Sequence, residues 1–133
     1  MDLTELFLRL VFGFLIGNSD MHLKNFSLIQ NEEENYHLSP IYDQIAVNVV
    51  MLSDLDQTAL TLNGKKRNIK RGDFLKFAEK AGIEKKTAEK LVDQMLKKVD
   101  RFLKECDNSF LPEQEKEKVK ALIMDRAEAL QKR

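Results

Sequence analysis

One segment constrains the fold more than any other. Residues 6–16 read LFLRLVFGFLI, an apolar run interrupted only by Arg9 and followed at once by the polar cluster GNSDMHLKNFSLI, Gly17 to Ile29. The longer stretch Leu3–Gly17 has the leucine content and length of a helix that is apolar on nearly every side, which predicts a helix near the centre of the domain. Thr4 is the expected cap and Gly17 the expected stop. Gly13 and Gly17 are four residues apart, a spacing that predicts close packing of this helix against its neighbours. Within eight residues the cluster that follows holds Asn18, Asp20, His22, Lys24 and Asn25. Apolar flanks on both sides pin such a loop against a core, and pinned loops are where function concentrates.

The rest of the composition narrows the class. A chain of 133 residues suits one core. The 22 Lys plus Arg balance the 22 Asp plus Glu, so no overall field draws the protein to nucleic acid or to an anionic membrane, and direct nucleic-acid binding is not expected. A single cysteine, Cys106, excludes an internal disulfide framework, fits a small core residue, and suits a reducing cytoplasm. The apolar run is shorter than the roughly 20 residues of a membrane helix, and MDLTE lacks a basic signal start. The expectation is therefore a cytoplasmic protein with no membrane partner.

Along the chain, FSLIQ and YHLSP are β-prone pieces around NEEEN and predict a hairpin with a solvated acidic turn. DQIAVNVVML is ambiguous between helix and strand, with helix the favoured reading. TALTLNGKKRNIKR predicts a second hairpin turning at Asn63-Gly64. From Gly72 onward the pattern is helical: DFLKFAEKAG starts at a capping Asp73 and stops at Gly82. KKTAEKLVDQMLKKVDRFLKEC carries a stripe at Leu91, Met95, Val99, Phe102 and Leu103. Pro112 opens a last helix with Val119, Leu122, Ile123 and Leu130 on one side. The expected class is mainly α, α+β overall, with one or two small hairpins and no internal domain boundary across residues 1–133.

The polar cluster carries the chemistry. Phosphoryl transfer from ATP needs an acid that orients or deprotonates the attacking hydroxyl and groups that hold Mg²⁺ on the phosphates; in protein kinases an Asp is followed five residues later by a metal-binding Asn. Asp20 and Asn25 show that spacing, and the hairpin that follows leads to Asp43, the position of a second metal-binding acid. An Asp and an Asn five apart are common by chance, whereas the order Asp20, Asn25, hairpin, Asp43 is more selective. Neither His-Arg-Asp nor Asp-Phe-Gly is present. A rival chemistry, a hydrolytic metal site built from Asp20, His22 and Asp43, accounts for the acids and leaves Lys24 and Asn25 idle. On bland readings His22 is a satisfied histidine, Lys24 a solvated lysine and Tyr42 a core ring with its hydroxyl bonded.

FLIGNSDMHLKNFSLI, then LSPIYDQ, then LTLNGKKRNIKRGDFLKFAEKAGI resemble, in order, the C-terminal part of the HipA-like serine/threonine kinases of bacterial toxin–antitoxin modules. The resemblance is strongest over Leu6 to Ile83. It implies a helical kinase C-lobe, with Asp20 as catalytic base, Asn25 and Asp43 as Mg²⁺ ligands, and His22, Leu23, Lys24 and Tyr42 in segments that approach the nucleotide. The Gly-rich phosphate loop, the strand-borne lysine and the adenine hinge of such kinases have no counterpart in the 133 residues. The expectation is therefore a C-terminal catalytic lobe, inactive or nearly so alone, that takes ATP and Mg²⁺ only when an N-terminal lobe or companion subunit completes it. An interaction module that keeps the fold and binds an antitoxin-like partner without catalysis is the alternative. The basic run Lys65, Lys66, Arg67, Lys70 and Arg71 reads as a solvated hairpin first and as a phosphate or acidic-partner contact second.

Overall fold

The computed structural model describes residues 2–42, 44–51 and 53–132. The first helix, α1, runs Leu3–Leu15. Asp2, not Thr4, caps it: its carboxylate accepts from the Thr4 N–H at 2.9 Å, and the Thr4 hydroxyl is spent on the same carboxylate. Gly17 stops it as expected, with a φ of +74° that costs least in glycine.

Two short antiparallel strands follow, β1 (Leu28–Gln30) and β2 (Tyr36–Leu38), paired Leu28 to Leu38, Ile29 to His37 and Gln30 to Tyr36. Next comes α2, a single turn at Val47–Val50, shorter than the apolar run that suggested it. The second half is helical: α3 (Arg71–Ala81), α4 (Lys85–Leu96), α5 (Val99–Asp107) and α6 (Glu113–Gln131).

The core sits where α1 meets α3, α4 and α6. Phe7, Val11, Phe14 and Leu15 of α1 are essentially inaccessible, as are Phe74, Ala88, Val92 and Leu130 opposite them. Phe74 packs edge-to-face with both Phe7 and Phe14, at centroid distances of 6.2 and 5.4 Å. Burying each large apolar side chain stabilises the fold by roughly 1.5–3 kcal/mol, so this cluster fixes the position of α1, and through it the loop that α1 leads into. Gly13 is tight for the same reason: a Cβ there would lie 2.1 Å from the Met21 sulfur.

Three further expectations are corrected. The second hairpin is one bridge, Leu62 to Lys65, about a turn in which Asn63 and Gly64 both have positive φ. The turn forms as Asn-Gly chemistry dictates, but the arm KKRN has no apolar face to bury, so no ladder extends from it. Asp73 lies at the third position of α3, where its carboxylate accepts from the Lys70 N–H at 2.8 Å; it closes the first turn from inside. The stripe from Leu91 to Leu103 spans two helices, because the chain breaks at Lys97 and Lys98. That break lets α4 pack on α1 and α3 while α5 packs on α6. Cys106 is a buried free thiol, as expected, and burial pushes its pKa up.

The basic run is dispersed by its partners. Arg71 is buried and donates to the Asp93 carboxylate and to the Leu130 and Glu89 carbonyls. Lys65 pairs with Asp73 at 3.1 Å and Arg67 with Asp56 at 2.7 Å.

Candidate active site

The loop after α1 owes its shape to its own side chains. Gly17 turns the chain, and the Asn18 N–H returns to the Gly13 carbonyl at 2.8 Å. Asn18 is buried. Its Oδ1 accepts from the Asp20 N–H at 3.2 Å and its Nδ2 donates to Gln44 at 3.1 Å. Beyond it the Asp20 carbonyl accepts from the His22 N–H at 3.0 Å and from the Asn25 side-chain amide. Residues Leu23–Asn25 thereby close into a 3₁₀ turn. Asp and Asn five residues apart are thus joined, Asn25 gripping the backbone of Asp20.

This clamp sorts the two side chains. Asn25 is buried, and with its Nδ2 spent on Asp20, its Oδ1 makes no hydrogen bond among the described residues. The Asp20 carboxylate is directed outward, half exposed, with the His22 Nε2 3.2 Å away. Leu23 and Lys24 are exposed beside it. Tyr42 is not a core ring: it is 40% exposed, and its hydroxyl bridges Ser27 Oγ at 2.8 Å and the Lys24 carbonyl at 3.1 Å. Asp43 lies outside the described residues. Its two neighbours are tied to the loop, Tyr42 to Lys24 and Ser27, and Gln44 to Asn18.

A second layer of polar residues, absent from the sequence-based candidates, holds the loop from behind. The Ser19 hydroxyl donates to the Asp54 carboxylate at 2.6 Å. Asn48 in α2 donates its own N–H to the Gly17 carbonyl at 3.0 Å, and its Nδ2 reaches the Asp54 and Asp56 carbonyls at 3.1 and 2.9 Å. Asn48 Oδ1 in turn accepts at 3.0 Å from Arg126, which also donates at 2.9 Å to the Phe14 carbonyl at the end of α1 and lies over the Phe14 ring. The Ser19 hydroxyl holds Asp54 below the usual carboxylate range, helped by the Asp56 N–H and by Arg67. Burial lowers the pKa of Arg126. The one sequence signal for this layer was Asn48, a polar residue inside VNVV; Arg126 is hidden in a helix full of charges.

Among the described residues no three His, Cys, Asp or Glu side chains group as a metal cage. Asn25 Oδ1 is an amide oxygen, a donor type that hard cations take.

The sequence model of the HipA-like C-terminal domain matches residues 1–102. A Haemophilus influenzae protein described as "Putative kinase" is 29% identical over 126 residues, covering 82% of this chain and 36% of that protein. The Sinorhizobium fredii protein "Putative kinase Y4dM" is 35% identical over 103 residues, 76% of this chain and 24% of that one. Among solved structures, HipA of the Shewanella oneidensis toxin–antitoxin system, in complex with HipB and operator DNA, superposes with a TM-score of 0.76 at 19% identity. That match covers 97% of this chain and 32% of the HipA chain, and it supports the mainly α fold. The chain thus spans about a quarter to about a third of the length of the proteins it matches. It belongs to the HipA-like C-terminal domain family.

Proposed function

We propose that residues 1–133 form one HipA-like C-terminal unit that supplies the catalytic loop of a cytoplasmic serine/threonine protein kinase, completed by a nucleotide-binding N-terminal lobe. Asp20 is the base that orients and accepts the proton of the attacking protein hydroxyl. Asn25 and Asp43 are the oxygen donors to Mg²⁺, which when bound with ATP neutralises charge developing on the phosphates. His22, Leu23, Lys24 and Tyr42 line the approach of the nucleotide, and an antitoxin-like protein is a further candidate partner.

The observation that carries this reading is the division of labour imposed by the Asn25 clamp. One amide fixes the backbone of Asp20, so that the carboxylate faces solvent while Asn25 Oδ1 has no hydrogen-bond partner among the described residues. A base needs access to its substrate, and a ligand needs a fixed lone pair; the clamp supports both roles with one hydrogen bond. Attachment of Tyr42 and Gln44 to the same loop supports Asp43 as the second ligand.

The test is a chimera in which this chain replaces the matching segment of the Haemophilus influenzae relative. Asp20→Asn keeps the shape but removes the proton acceptor, so phosphoryl transfer should fall by roughly 10²–10⁴-fold with nucleotide binding little changed. Asp43→Asn should weaken Mg²⁺-dependent nucleotide binding as well. Transfer by Asp20→Asn at the wild-type rate overturns the assignment and leaves the interaction-module reading.

A further inference from the structure

Arg9 is the one charge in the apolar run of α1, and none of the proposed catalytic roles uses it. It is buried, at 7% exposure, and two of its nitrogens are spent: Nε donates to the Glu5 carboxylate at 3.0 Å and Nη2 to the Ser39 carbonyl. Its Nη1 makes no hydrogen bond among the described residues. That nitrogen is not sealed off either, because among those residues the one closed-off side-chain polar atom without a partner is Thr58 Oγ1. Arg9 lines a hollow of about 230 Å³ between α1, Ile41 and the junction of α4 with α5. Leu8, Phe12, Met95 and Phe102 form its sides, with the Phe12 and Phe102 rings edge-to-face at a centroid distance of 5.5 Å. Glu5 and Lys98 are the other charged residues of the lining. Lys98 is exposed and forms no ion pair among the described residues.

We propose that this hollow binds a small monocarboxylate whose apolar part is the size of a leucine or phenylalanine side chain, supplied as a free acid or as the last residue of a peptide. Three features select that chemistry. A buried guanidinium with an unused N–H calls for an acceptor, and a carboxylate is the acceptor that also answers its charge. The charges of the lining favour an anion: Glu5 offsets Arg9, and Lys98 leaves one positive charge over. The rest of the lining is hydrocarbon and the thioether of Met95, a side chain that adapts its shape to a guest. Mostly apolar sides with a few polar groups that fix orientation are the usual make-up of a small-molecule site. The volume sets the size, since a hollow this small admits one such side chain with its carboxylate and excludes a nucleotide. The inference stands independently of the kinase reading.

Methyl-resolved NMR tests it, with phenylpropanoate as the probe, phenylpropanamide as its uncharged counterpart and N-acetyl-L-leucine as the analogue of a chain end. The acid should shift the methyl signals of Leu8, Ile41 and Met95 saturably, with a Kd on the order of 1 mM for a ligand of this size. The amide should bind at least about tenfold more weakly, because it brings no charge to Arg9 and Lys98. Glu5→Gln removes a carboxylate that repels the guest and should tighten the acid about threefold, whereas Lys98→Met should weaken it by about as much and leave the amide unaffected. Arg9→Lys should abolish the preference for acid over amide; if that variant fails to fold, Glu5→Gln and Lys98→Met, changes at more exposed side chains, carry the test. Equal affinity for acid and amide overturns the proposal, because the hollow is then merely apolar. Shifts confined to methyls elsewhere, or shifts that grow without saturating up to about ten times the expected Kd, overturn it as well. Tighter binding of N-acetyl-L-leucine than of phenylpropanoate upholds the site and assigns it to a chain end, and the reverse order upholds it for a free acid.

Discussion

Residues 17–69 and residues 71–132 are held together by different means. In the second region each helix presents an apolar stripe: Phe74 and Ala78, Ala88 and Val92, Ile123, Ala127 and Leu130 are all buried. Most polar contacts there are local and exposed, such as Lys118 with Glu115 and Lys132 with Glu128. In the first region the sheet has two strands and β1 is exposed throughout, and the buried apolar side chains, Met21, Leu38, Val47, Val49, Leu62 and Ile69, are scattered along the chain and form no long helical stripe. Short polar side chains do the holding instead. Asn18, Ser19, Asn25 and Asn48 each fasten a stretch of irregular backbone. Packing tolerates any backbone that keeps the stripe, whereas a hydrogen bond fixes one geometry at a net gain of only about 1 kcal/mol. The carboxylate proposed as the base, Asp20, is exposed, and the second means holds its backbone in one place.

Arg126 breaks this division, and removing it should have the largest effect. It belongs to α6 in sequence, beyond the residues matched to the family, yet it bonds the end of α1 and Asn48 behind the loop. Arg126→Met keeps the aliphatic bulk, takes the donor from Asn48 Oδ1 and leaves the Phe14 carbonyl only the Gly17 N–H at 3.2 Å. Urea denaturation should show a loss of about 2–4 kcal/mol, against no more than about 0.5 kcal/mol for Lys118→Met on the exposed face of the same helix. If the two substitutions cost the same, the loop does not depend on α6.

Two glycines sharpen the comparison. Gly17 and Gly82 both end helices with positive φ, at +74° and +91°. A Cβ on Gly82 meets nothing within 4 Å, whereas one on Gly17 lies 2.9 Å from Leu122 of α6. Gly82→Ala should cost about 1 kcal/mol in backbone strain, and Gly17→Ala about 1–3 kcal/mol because contact is added to the strain. Equal melting-temperature losses would show that the loop yields where the structure has it packed.

What the sequence disclosed follows the same line. Helices with apolar stripes were legible because their period is local, and α1, α3 and α6 lie where leucine and phenylalanine spacing puts them, within a residue or two at the ends. The break at Lys97 and Lys98 was not legible: the stripe continues across it, and only the different packing partners of α4 and α5 require the turn. In the candidate site, Asp20 and Asn25 were visible through their spacing, and the structure adds the bond between them. Ser19, Asp54 and Arg126 were invisible because each acts on a residue 35 or more positions away: Ser19 and Asp54 are 35 positions apart in sequence, and Arg126 and Phe14 are 112 apart. No local pattern records such a pairing.

The smallest effect, and the one that tests the hydrogen-bonded region most directly, belongs to Ser19→Ala. The Ser19 hydroxyl is the largest cause of the lowered Asp54 pKa, ahead of the Asp56 N–H and Arg67. A carboxylate whose folded pKa is depressed adds stability above its unfolded value, and that stability is lost as pH falls through the folded pKa; here the window lies below the ordinary 3.8. Asp54 is well solvated, so the contribution is screened, and Ser19→Ala should cost less than about 1 kcal/mol at neutral pH. The clearer reading is a carboxyl titration by NMR. In the wild type the Asp54 midpoint should fall below 3.8, and in Ser19→Ala it should rise toward that value. Acid should also separate the two regions: below the Asp54 midpoint, amide protons of residues 17–25 should exchange faster while those of α3 and α6 stay protected. An Asp54 midpoint that is the same in both proteins would mean that the Ser19 hydroxyl does not hold Asp54, and the loop that carries Asp20 would then owe its position to the apolar flanks instead.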